Sequence, residues 1–173
     1  MKSKRISAVL IAGALLGVGA TLQANTNTVS AASWGAKELY TVPKVMRGTW
    51  YYKESGKIKK TKITAHSMDG RKLYKQLPSK EYSEWFDKLH KLKSKEYNKA
   101  WKYLYKDRME ASDFKWHGHS GFVCRQWLAG ASGTYITPAK RTRYGVKTRA
   151  VRFGGGAGNW LSYYAYPSRK LAK

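Results

Sequence analysis

A single cysteine, Cys124, serves the whole chain, so no internal disulfide can staple the fold. Acid is scarce as well: ten Asp and Glu stand against 34 Lys and Arg, and none follows Asp113. Those acids are scattered over expected helices and turns, which leaves no pair placed for glycoside hydrolysis. The one long uncharged apolar run, at 6–20, is short for a membrane span and holds no aromatic residue. No internal repeat or low-complexity tract is present, and the one linker-like stretch is 25–35.

What is there begins with a leader. Lys2, Lys4 and Arg5 precede the apolar run, and Val29-Ser30-Ala31 offers a small-residue cleavage site. That is the pattern of a secretory signal over 1–31. Residues 32–173, 142 in number (173 less 31), are the length of one domain. With Lys2, Lys4 and Arg5 removed, 31 basic residues face ten acids, a net charge of +21. The stretch 114–173 holds eleven Lys and Arg and no acid. Such a field attracts polyanions over about one Debye length and is weakened by salt. Without disulfides the core must supply stability, and the 24 aromatic residues, all after the leader, can do so.

Hydrophobic period divides the rest into three blocks. Strands are expected at 46–53, 57–67 and 71–75, with turns at Glu54-Ser55-Gly56 and Met68-Asp69-Gly70. Thr61, Ile63 and Ala65 alternate with polar neighbours, as one buried face requires. Pro78 then stops the strand and Ser79 is placed to cap a helix. Tyr82, Trp85, Phe86, Leu89 and Leu92 recur at helical spacing, and a second stripe starts at Tyr97. The period predicts one or two helices over about 79–109. Strands return at 113–117, 122–128, 134–138, 142–153 and 159–167. The expected fold is mainly β: about eight strands closing a small antiparallel barrel, with a helical insertion.

Few motifs suggest chemistry. The glycines at 154–158 lead into an aromatic strand rather than a helix, so they read as a hairpin turn and not a phosphate loop. His117 and His119 alternate onto one face of an extended chain, but no third ligand is placed, and no metal or cofactor is expected. His117-Gly118-His119-Ser120-Gly121-Phe122-Val123-Cys124-Arg125 resembles, in scrambled order, the Ser-His-Gly-Cys-apolar-Arg signature of L,D-transpeptidases. His66, Cys124 and Arg141 or Arg143 also stand in the order of a sortase. Either resemblance implies a cysteine nucleophile, whereas Phe-Val-Cys in an apolar strand predicts a buried structural thiol.

Gly48-x-Trp50-Tyr51 resembles the opening of lipocalin-like barrels, where the tryptophan plugs the closed end. That implies a core of Gly48 and Trp50, to which Trp160 is added. More of the chain resembles a group of small secreted proteins of lactic acid bacteria. The likeness runs through Val42-Pro43-Lys44, Arg47-Gly48-Thr49-Trp50-Tyr51, the Lys-rich middle and the ending from Gly156-Ala157-Gly158 to Lys173. It implies secretion and a barrel-like fold, and brings no activity.

Charge therefore points to a non-catalytic protein, outside the cell or on its wall, that binds anionic wall polymers or an anionic membrane surface. Lys140, Arg141, Arg143, Lys147, Arg149 and Arg152 are the expected contacts, with Arg143, Lys147 and Arg149 on one face of a strand and Arg152 on the other. Nucleic acid would bind only incidentally, and no obligate protein partner is implied. The alternatives are a small-ligand-binding lipocalin-like barrel and a cell-wall cysteine transpeptidase using Cys124.

Overall fold

The computed structural model describes residues 33–130 and 132–173, so the expected leader lies outside the described residues. Four dipeptides set the hairpins: Ser55-Gly56, Asp69-Gly70, His117-Gly118 and Tyr144-Gly145. Both residues of each have positive φ, the geometry of turns whose twist matches the strands they join. Asp69 reinforces its turn, accepting from the Lys62 amide at 2.7 Å and the Thr61 hydroxyl at 2.8 Å.

Around these turns the chain forms β1 (Gly48–Glu54), β2 (Lys57–Ile63), β3 (Ser67–Met68) and β4 (Arg71–Lys75). Two helices follow, α1 (Ser79–His90) and α2 (Ser94–Asp107). The remaining strands are β5 (Arg108–Trp116), β6 (His119–Gln126), β7 (Thr134–Arg143), β8 (Val146–Gly155) and β9 (Trp160–Ala165). The nine strands among the described residues lie in sequence order in one sheet. Every neighbouring pair is antiparallel except β4–β5, which is parallel. A parallel pairing needs a long crossover, and the two helices provide it.

The expected barrel is not closed. Tyr51 and Tyr166 exchange two main-chain hydrogen bonds of 2.7 Å, a single bridge between β1 and the residue after β9. The strand expected at 142–153 is two strands, because Tyr144-Gly145 reverses the chain within it. Ser79 does not cap α1: it is the first helical residue, after Pro78.

Period 2 sorts the sheet into two faces. Trp50, Ile63, Leu73, Phe122, Ile136, Val151 and Phe153 meet in the main core with Met46 and Val42. On the opposite face, α1 and α2 lay Leu89 and Leu104 over Tyr74, Leu77, Trp127 and Leu128. The helical stripes expected around Tyr82 and Tyr97 are thus packing surfaces. A third cluster, Ala150, Tyr166 and Ala172, is buried beneath the C-terminal turn.

Candidate functional site

β7 and β8 extend beyond β6 as a long hairpin. The β6–β7 ladder covers only Thr134, Tyr135 and Ile136 of β7, whereas β7–β8 pairing runs on to Arg143 and Val146. Residues opposite one another share a face. Val151 and Phe153 face the core, so Lys147 and Arg149 lie on that side, with Lys140 opposite Arg149. Arg141, Arg143 and Arg152 occupy the other side. The expected grouping of Arg143 with Lys147 and Arg149 is overturned: the chain reverses between them, and Arg143 shares its face with Arg152.

The six cations are held in different ways. The Arg149 guanidinium sits 5.0 Å from the Trp50 ring centroid, and Arg141 sits 4.6 Å from that of Tyr164. Arg143 donates to the main-chain oxygens of Leu171 (3.0 Å) and Lys173 (2.7 Å). Arg152 donates to Asn159 Oδ1 at 2.8 Å and to its main-chain oxygen at 2.6 Å, and lies 5.3 Å from the Trp116 ring centroid. Lys140 and Lys147 are exposed. Among the described residues none of the six pairs with an acidic side chain; Glu38, Glu54, Glu81, Asp107 and Glu110 are matched with other cations. The hairpin's charge is therefore left to solvent or to a ligand.

Trp50 is part of the main core, whereas Gly48, at the start of β1, is only half-buried. Gly48 has φ +136°, and Trp50, 1% exposed, donates its indole N–H to Met46 O at 2.7 Å. Trp160 does not belong to the core; it is 68% exposed. Its ring lies over the glycine turn instead, where a Cβ on Gly158 would meet it at 2.7 Å. The glycines at 156 and 158 make a bed for an aromatic ring at the surface.

Cys124 is buried between Ala111 and Thr134, its register partners on β5 and β7. Burial pushes its thiol up to about 12, so thiolate is scarce at neutral pH. Its sulfur has no hydrogen bond to a histidine among the described residues, and His66 instead meets Tyr40 O at 2.9 Å. Ellman's reagent is expected to leave the folded protein unlabelled and to titrate one thiol after unfolding in urea. Rapid labelling of the folded form would contradict the buried setting. His117 and His119 do not alternate on an extended strand: His117 occupies the turn against Trp116, and His119 pairs across from Trp116. Among the described residues no three His, Cys, Asp or Glu side chains converge.

One constellation escaped the sequence reading. Glu110 and Arg125 are opposite on β5 and β6, and Arg125 Nε donates to Glu110 Oε1. Glu110 is 2% exposed, and its Oε2 has no hydrogen-bond partner. The pair lines a cleft of about 400 Å³ on the face opposite the main core. The signal available was an acid set between Met109 and Ala111 in an apolar strand start.

In comparisons with known proteins, no family profile, curated sequence or solved structure matches the chain.

Proposed function

We propose that this is a secreted, non-catalytic protein held at the cell envelope by anionic wall polymer, with the β7–β8 hairpin as its main contact. The observation that carries the reading is the set of six cations on that hairpin, none of them paired with an acidic side chain among the described residues. Each exposed contact contributes little, about 0–1 kcal/mol, but many acting together hold a flexible polyanion without a shaped pocket. Release from the cell and the resemblance to small secreted proteins of lactic acid bacteria belong to the same proposal. So does a barrel-like wrap of the sheet, with Tyr51 and Tyr166 joining its edges. The rival readings have less support. Trp50, Phe122, Ile136 and Phe153 are packed into the main core, which speaks against an open ligand cavity among them, and the burial of Cys124 speaks against its use as a nucleophile.

Salt tests the reading. Protein bound to whole cells at low ionic strength is expected to elute as salt shortens the Debye length from about 10 Å at 0.1 M toward 3 Å at 1 M. Replacing Lys140, Arg141 and Lys147 by glutamine removes three exposed charges without disturbing Trp50 or the C-terminal turn. That variant is expected to elute at lower salt with an unchanged unfolding midpoint. Retention in concentrated salt, or failure to bind cells at low salt, would refute the proposal.

A further inference from the structure

The structure assigns a second binding site, for a neutral glycan, to the cleft at Glu110 and Arg125 and the aromatic shelf beside it. This site lies away from the exposed lysines of the β7–β8 hairpin and does not rest on the polyanion reading.

Glu110 and Ser112 of β5 and Val123 and Arg125 of β6 line the cleft together with Gly130, Ser132 and Gly133. At about 400 Å³ it falls in the ~300–1,000 Å³ range of small-molecule sites. Gly133 lies so close to β6 that a Cβ there would come within 2.9 Å of Cys124 O. Gly133 is thus seated directly against the strand.

Two polar requirements stand side by side in the cleft. Glu110 Oε2 is an acceptor without a donor, and a buried carboxylate oxygen left so is costly. Beside it, Arg125 uses Nε on Glu110, and its Nη groups make no hydrogen bond among the described residues. A ligand suited to both presents a donor and an acceptor on adjacent atoms. Vicinal sugar hydroxyls do this, each giving one proton and accepting another.

The shelf favours a sugar over a charged alternative. Tyr135, which lines the cleft, stands 4.6 Å from Phe114 between ring centroids. Phe114 lies nearly parallel to Trp116 at 6.3 Å. Phe114 and Trp116 share the face of Glu110 and Ser112 by their spacing of two along β5. Tyr135 and Phe114 are tilted by 53° to one another, and Arg152 and His117 lie against Trp116, so Tyr135 and Phe114 are the rings left to meet the apolar C–H face of a pyranose beside the cleft. A zwitterionic peptide end would satisfy Glu110 and Arg125 but has nothing flat to set on the rings.

The test is isothermal titration of the whole secreted protein in 0.5 M NaCl, where polyanion contacts are screened. The probes are a β-1,4-linked N-acetylglucosamine trimer, a β-glucan trimer and the dipeptide Ala-Ala. Saturable binding of at least one trimer is expected, with no comparable binding of the dipeptide. Tyr135→Ala is expected to weaken it about tenfold, and Glu110→Gln to weaken it further. The Lys140, Arg141 and Lys147 glutamine variant should bind the trimer unchanged, which separates this site from envelope retention. If Glu110→Gln fails to fold, Tyr135→Ala and Ser112→Ala decide. The inference is overturned if neither trimer binds, if the dipeptide binds more tightly, or if folded Tyr135→Ala binds as well as the parent.

Discussion

Trp50→Ala is expected to destabilise the protein by about 3–5 kcal/mol, the range for deleting a large aromatic from a packed interior. Three losses coincide. The indole is 1% exposed, so almost all its apolar surface returns to water on unfolding. The cavity would open in a core built largely from strand residues such as Ile63, Val151 and Phe153, which limits collapse. Met46 O also loses the indole N–H donated at 2.7 Å. With total stabilities of about 5–15 kcal/mol, a loss of this size puts a large unfolded fraction within reach at room temperature. Urea unfolding followed by tyrosine fluorescence measures it. A loss below 1 kcal/mol would mean that Trp50 does not organise the core.

The second large effect is expected at Gly121. Its backbone lies in the ordinary strand region, so the constraint is space and not conformation. A Cβ there would collide with Ile136 O, and would come 2.7 Å from Thr137 Cγ2 and 3.0 Å from its Cα. The first obstacle is main chain and cannot swing away. Gly121→Ala is therefore expected to push β6 from β7 and to cost at least the about 1–3 kcal/mol typical of overpacking. Gly56→Ala is the control for added bulk, because nothing lies within 4 Å of a Cβ there, and its positive φ adds only local strain. If Gly121→Ala unfolds at the same urea concentration as the parent, the close approach of β6 to β7 is not real.

Where local chemistry and pattern agreed, the sequence was readable. Asp69-Gly70 is a conventional turn pair, and the change of period after Pro78 located both helices. Tyr144-Gly145 was missed because a bulky aromatic in the left-handed region is rare, and the residues around it suit a strand. The consequence spread: without that turn, Arg143 fell on the wrong face. His117-Gly118 was missed in the same way, and it hid more. With that turn in place, paired positions on β5 and β6 sum to 235, so 110 lies opposite 125. The Glu110–Arg125 pair was hidden both by that turn and by the expected strand start at 113, whereas β5 begins at Arg108. Trp160 failed for another reason. Aromatic composition suggests burial, but a flat ring can rest on glycine backbone at the surface, and composition does not record that contact.

The parallel β4–β5 pairing has a kinetic side. Hairpins such as β1–β2 and β7–β8 close over two residues, whereas β4 and β5 are joined by residues 76–107. For a flexible loop that difference in length alone adds roughly 2.5 kcal/mol of closure entropy. The bridge of Tyr51 to Tyr166 spans far more chain. Local hairpins can thus form early and reversibly on either side of the helices, while the two halves remain separate bodies. Their docking at β4–β5, paid for by helices that bury Leu89 and Leu104 on the same seam, is the step at which the molecule commits to a single sheet.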